Sequence, residues 1–218
     1  MKKKVVNICN VDDKKSTKGF WVKSYTESTE DSQVIYLTRG GILWNSVVAR
    51  CNESGSHRKD RPTYKDCENN FKDFDTFVDW CLEQQGYMLK EDSGRFWSLD
   101  KDILVPCNKI YSPDTCMFVP NRINNIFYSK KRDSDLPLGV TKRPNESCFR
   151  YSCSDIYLDI NGKGETALDA HKGWQKAKIN ILTSLIQIES YSDRLRAALT
   201  SRLEMLIYEF ENDIQTKW

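Results

Sequence analysis

The chain has 218 residues, 39% apolar and 29% charged, with a net charge of only +2. That is an ordinary globular make-up, enough for one or two small cores, and it excludes a nucleic-acid partner held by bulk charge alone. No run approaches the ~18 apolar residues a membrane helix needs, and Asn7, Asn10 and Asp12 break the basic start before it can serve as a signal peptide.

Residues 1–43 mix lysines with two β-favouring runs, FWVKSYT and QVIYLT, and read as strands or an ordered arm. GGILWNSVVARC then predicts a helix, with Leu43, Val47 and Cys51 recurring every four residues beside Trp44 and Val48. NESGSHRKDRPTYKDC is polar and broken by Gly and Pro, and predicts a loop. Its His57, Arg58, Lys59 and Arg61 form a basic cluster suited to backbone phosphates. FKDFDTFVDWCLEQQGY puts Phe71, Phe74, Phe77, Val78, Cys81 and Leu82 on one helical face, with Gly86 as the stop.

The run WSLDKDILVPCNKIYSPDTCMFVPNRINNIF, residues 97–127, carries the candidate chemistry. Read as a strand, it projects Asp100 and Asp102 to one side and Lys101 to the other. Two neighbouring carboxylates repel unless a cation, a basic partner or a proton relieves them, and Mg2+ or Mn2+ favours such oxygen donors. Ser112-Pro113 reads as a helix start, after which Asn121, Asn124 or Asn125 could reach back towards the strand. On a plainer reading the two aspartates are solvated charges on an edge strand and Asn124 caps a helix.

Residues 129–138 read as a basic linker. Across 129–150 six basic residues, among them Lys130, Lys131, Arg132, Lys142, Arg143 and Arg150, face three acidic ones, which suits a phosphate backbone. CFRYSCSDIYLDINGKG predicts a hairpin turning at Asn161-Gly162, with Arg150 and Tyr151 placed for groove contact through a sheet. Thr166 to Asp169 forms a capping-box start. The helix that follows stacks Ala167, Ala170, Trp174, Ala177, Ile181, Leu185 and Ile188, and His171 beside Ala170 reads as a partly buried helix residue. A last helix from Ser192 stacks Leu195, Leu199, Leu203, Leu206, Phe210 and Ile214, and its acidic excess should keep it away from phosphate.

The eight cysteines include no Cys-x-x-Cys pair, so no structural zinc is expected, and several sit in helical patterns as small apolar groups. A reducing cytoplasm suits that usage.

The phrases WNSVVARC, YKDC…FKDFDTFVDW, WSLDKDIL, CNKIYSPDTCMFVP and RINNIF resemble, in order, the HNH-type homing-endonuclease-like proteins of tailed phages, over residues 43–128. There the corresponding phrases run LDKDIL and GNKxYSPETCxFVP. Residues 136–178 more weakly resemble the ethylene-response-factor type of DNA-binding domain, a three-stranded sheet backed by one helix. The resemblance implies an α+β chain: an arm or strands at 1–43, an HNH-like ββα-metal module at 44–128, the linker, a sheet-plus-helix module at 139–190, and a C-terminal helix at 191–218.

It further implies a metal carboxylate at Asp100 or Asp102, a late metal-side Asn124, and Asn108 orienting the turn. The usual general-base histidine falls near Lys101, and neither His57 nor His171 stands in that stretch. The expected function is divalent-metal-dependent cleavage of double-stranded DNA inside an infected bacterial host, with no membrane partner. Two alternatives stand beside it: an inactive HNH-fold DNA-binding protein, and a phage inhibitor of a host protein.

Overall fold

The computed structural model describes residues 3–54, 64–127, 135–154, 159–188 and 190–217. Among them the chain is α+β, in two compact units: Met1–Lys90 with Leu99–Phe118, and Glu91–Ser98 with Val119–Trp218. This division runs through the span expected as one module at 44–128, because Val119 and the helix after it belong to the second unit.

In the first unit the early run QVIYLT is a strand, whereas FWVKSYT is one only from Ser24 onward. Strands β1 (Lys4–Val11), β2 (Ser24–Ser28) and β3 (Ser32–Thr38) form a sheet in the order β1-β3-β2, with β1 parallel and β2 antiparallel to β3. Helix α1 (Arg39–Cys51) starts at once, because the Thr38 hydroxyl accepts the Gly41 N–H at 3.1 Å. Helix α2 (Phe74–Glu83) is capped by Asp73, which accepts the Thr76 N–H at 2.8 Å. Gly86, at φ 99°, takes the left-handed turn three residues beyond its end.

The phenylalanine stripe is core, as its periodicity predicts. Phe77 and Val78 are fully buried, and Phe71, Trp80, Tyr87 and Phe118 surround them with ring centroids 4.9–6.2 Å apart. Burying each large ring or aliphatic side chain contributes roughly 1.5–3 kcal/mol. Leu82, expected on that face, is exposed instead. Strands β4 (Glu68–Asn69) and β6 (Ile110–Tyr111) pair in parallel, and β5 (Ser98–Asp100) is sheet partner of β7 (Met117–Val119).

In the second unit, helix α3 (Asn121–Phe127) buries Ile123 and Ile126. Strands β8 (Val140–Thr141), β9 (Phe149–Ser154) and β10 (Asp159–Gly164) make an antiparallel sheet in the order β10-β9-β8. Helix α4 (Ala167–Ile186) lies on it, and α5 (Asp193–Glu211) packs against α4. Both helix starts follow the sequence. Thr166 and Asp169 close a reciprocal capping box, and Ser192 accepts the Leu195 N–H at 3.1 Å. Ala170, Trp174, Ala177, Ile181 and Leu185 face Leu195, Leu199 and the sheet as a buried stripe.

Asn161-Gly162 is not the hairpin turn. Both residues lie inside β10, opposite Ser152 and Tyr151, and the connection falls at 155–158, outside the described residues. Packing selects the glycine here: a Cβ on Gly162 would collide with the Tyr151 ring, and so would one on Gly173 of α4. His171, expected to be partly buried, is wholly buried. Its Nδ1 bonds the Leu138 carbonyl at 2.9 Å, and its Nε2 accepts the Thr216 N–H at 3.0 Å.

Candidate functional site: a carboxylate loop and a polar sheet face

The first unit's candidate chemistry lies between β5 and β6. The strand ends at Asp100, so Asp100 and Asp102 do not share a strand face as their spacing suggests. Aspartate offers the backbone an alternative to the ladder, and here it takes that route. Asp100 Oδ1 accepts the N–H groups of Asp102 and Ile103, at 2.8 and 2.7 Å, and turns the chain out of the sheet. Burial pushes the Asp100 carboxyl above the usual carboxylate range, against the pull of those two N–H donors.

Lys101 points inward and is 6% exposed. Its ammonium donates to Asp102 Oδ1 at 2.6 Å and to the Asn108 carbonyl, and lies 5.9 Å from the centre of the Tyr111 ring. Asn108 stitches the loop shut. Its amide donates to the carbonyls of Lys101 and Ile110, at 2.8 and 2.7 Å, and its Oδ1 accepts the Ile110 N–H at 3.1 Å. The orienting position expected for Asn108 is thus a backbone brace. Cys107 before it has φ 57°, the left-handed region, where the resembling phage phrase carries glycine.

Ser112-Pro113 does not start a helix. Ser112 instead closes a one-turn loop, accepting the Thr115 N–H at 3.2 Å while its carbonyl accepts the Cys116 N–H at 3.0 Å. The helix begins at Asn121, after Pro120. Asn121 is the engaged asparagine: its amide donates to Glu91 Oε2 and the Phe96 carbonyl, both at 3.0 Å, and its Oδ1 accepts the Ser98 hydroxyl at 2.5 Å. Glu91 also accepts the Arg122 N–H at 3.1 Å, which seats the helix start. Asn124 is half-buried one turn into that helix, in the second unit.

The donor set around Asp100 and Asp102 does not fit a divalent ion as it stands. One oxygen of Asp100 is committed to two backbone N–H groups, and Asp102 already holds the Lys101 ammonium. A divalent ion on the same oxygen would sit against that ammonium charge. At the position where the resemblance implies a general base, the Lys101 side chain is instead engaged as a donor to Asp102 and to the Asn108 carbonyl.

The second unit offers a different surface. Along β9 and β10 the residues facing α4 are Phe149, Tyr151, Cys153, Ile160 and the two glycines, whereas Ser152, Ser154, Asp159, Asn161 and Lys163 are exposed. Registers place Lys163 and Thr141 on either side of Arg150, and Asn161 beside Ser152. Arg150 therefore lies on the outward face, where Glu146 grips it through two bonds, at 2.6 and 2.5 Å. That carboxylate is held below its usual range by Arg150. Arg143 is exposed, 3.8 Å from the same Glu146, and Lys142 lies 4.5 Å over the Phe149 ring.

Tyr151, expected at a groove, instead lies on the helix side, its ring between Gly162 and Gly173. Strand alternation forces this, since neighbours in a strand cannot both face outward. The basic residues Arg58, Lys59, Arg61, Lys130, Lys131 and Arg132, with His57, lie outside the described residues.

Glu146 is a site residue that sequence reading passed over, and for Lys101 it missed the burial. The signal for that burial was its position two residues from each of two apolar residues, Leu99 and Ile103, both buried. The signal for Glu146 was its spacing of four from Arg150.

Among the described residues no helix is long and apolar enough to cross a membrane. No family model, no curated protein and no solved structure matches the chain.

Proposed function

We propose that this chain is a double-stranded-DNA-binding protein of HNH-like organisation, which grips duplex DNA with the outward face of the β8–β9–β10 sheet. The supporting observation is that face itself. Seven outward positions — Thr141, Arg150, Ser152, Ser154, Asp159, Asn161 and Lys163 — are all hydrogen-bonding, while the reverse side is packed on α4. A rigid sheet with this set suits a groove. Arg and Lys pair with guanine, Asn with adenine, Asp with the cytosine amino group, and hydroxyls with several edges. Glu146 fixes the Arg150 guanidinium before any partner arrives, which lowers the ordering cost on binding. Lys142 and Arg143 at the rim suit backbone phosphates.

The companion reading is a Mg2+- or Mn2+-dependent endonuclease, with Asp100 or Asp102 and Asn124 on the metal. The order β5, β7, α3 and the Asn108 brace favour it, and the Lys101–Asp102 pair opposes it. Of the two, the non-cleaving reading agrees better with the loop. A phage origin and action inside an infected bacterium go with either, and inhibition of a host protein is the third reading.

Fluorescence anisotropy with a duplex library, repeated across salt concentrations, tests the grip. Affinity should fall steeply with salt, and Lys163→Glu with Arg150→Glu should abolish it. A salt-independent affinity, or one untouched by that double variant, overturns the proposal. Supercoiled plasmid incubated with Mg2+ or Mn2+ should stay unnicked, and nicking lost in Asp100→Ala would establish the endonuclease instead.

A further inference from the structure

We propose that the open edge of β1 (Lys4–Val11) is a self-association surface: it pairs antiparallel with β1 of a second copy of this chain, about a two-fold axis at Asn7, and joins two three-stranded sheets into one. The pairing is independent of DNA binding, since every group in it belongs to the first unit.

The edge lacks the devices that keep an edge strand solitary. Such strands are usually short, charged, bulged or broken by proline. From Lys4 to Cys9, β1 carries one charge and no proline, and its bulge, with Asn10 at φ 59°, comes only at the end. Val5, Val6 and Ile8 are 55%, 39% and 40% exposed, and among the described residues no strand lies beyond them. The opposite edge of the sheet, β2, is the polar run SYTES. Unlike edges joined head to tail would build an open filament, whereas β1 on β1 closes as a dimer.

Backbone direction fixes the register. The Lys4 N–H donates to the Asp31 carbonyl at 3.2 Å, so Lys4, Val6 and Ile8 turn their backbone groups to β3. Val5, Asn7 and Cys9 alternate with them and turn theirs to the open edge. With the axis at Asn7, Asn7 of one copy exchanges both bonds with Asn7 of the other, and Val5 does so with Cys9 at each end. Val6 then lies beside Ile8 on one face and Val5 beside Cys9 on the reverse, so the exposed apolar side chains cover one another. Moving the axis by one residue puts Cys9 opposite Lys3, ahead of the strand, or Val5 opposite Val11, past the bulge. Charge selects the antiparallel sense: exposed Lys4 begins the strand and exposed Asp12 follows it, so each basic start meets an acidic end. A parallel pair would set like charges together.

Sedimentation equilibrium from about 1 μM to 1 mM, the range in which small interfaces dissociate, tests the pairing. The natural chain's mass should rise towards that of two chains. Asn7→Pro deletes an N–H aimed at the open edge and leaves the ladder to β3, a place where proline is tolerated. It should weaken association at least about tenfold, since the bonds between the two Asn7 residues are lost. Val6→Lys/Ile8→Lys sets lysine against lysine across the axis and should weaken it as much. Val6→Lys/Ile8→Glu sets opposite charges face to face in this register alone, and should associate more tightly than the double lysine. Near-ultraviolet circular dichroism checks the fold; should proline disturb the strand, the two lysine-bearing variants decide, because those side chains stand in solvent in the single chain. A natural chain that keeps the mass of one copy throughout, or that assembles beyond two, overturns the proposal. So does an association that the double lysine leaves unchanged, or a Lys/Glu variant no tighter than the Lys/Lys one.

Discussion

The carboxylate loop and the polar sheet face carry similar side chains and use them in opposite ways. In the loop, Lys101, Asp102 and Asn108 satisfy one another and the backbone, and the cation is buried. On the sheet, Arg150 and Lys163 stand on the solvent side, with Glu146 holding the former. A charge spent inside the fold specifies a conformation, whereas a charge held outside can meet a partner. The difference teaches that counting polar residues does not locate a binding surface; which way each residue points does.

The strongest way to break the comparison is to spoil the packing that turns the sheet's polar side outward. Gly173→Val or Gly162→Val forces a side chain into the Tyr151 ring, and overpacking of that kind costs about 1–3 kcal/mol or more. Melting of the second unit, followed by near-ultraviolet circular dichroism, should drop by several degrees. DNA affinity should fall with the folded fraction.

Asp102→Asn addresses the loop directly. Breaking a buried ion pair costs about 3–5 kcal/mol, but Asp102 is half exposed, so about 1–2 kcal/mol is expected from urea denaturation. The sheet-face pair, half-buried on both sides and without a buried ammonium, should cost less when broken by Glu146→Gln. Equal effects would mean that the inside–outside contrast is energetically empty.

The helix side of the sheet supplies a pH signature. His171 is neutral in the fold, because burial holds its imidazole below the usual range and Nε2 must accept the Thr216 N–H. The unfolded chain takes a proton near pH 6.5. Stability should therefore be constant above about pH 7 and fall as pH drops through 6.5, levelling off below the folded value. Urea midpoints at pH 7.5 and 5.5 should differ more for the natural chain than for His171→Gln. An unchanged difference would show that His171 is not the group responsible.

The smallest expected effect is stabilising. Cys107 sits at φ 57°, where a side chain costs about 1–2 kcal/mol and glycine costs less than that in lost freedom. Cys107→Gly should raise the stability slightly, by up to about 1 kcal/mol, read as a higher urea midpoint. No change or a loss would mean that the thiol makes a contact worth as much as the strain.

Much of this molecule was determined by local sequence. The apolar periods of α1, α2, α4 and α5 and their caps at Thr38, Asp73, Thr166 and Ser192 follow from side-chain spacing and hydrogen-bonding chemistry within a few residues. Tertiary structure decided the rest. Whether Asp100 extends its strand or closes a turn depends on how a buried lysine is compensated. Whether Asn161-Gly162 turns or pairs depends on a ring arriving from Tyr151 and a helix carrying Gly173. Both outcomes are set by groups distant in the chain or by loss of water on burial, and neither influence is written in the spacing of neighbours.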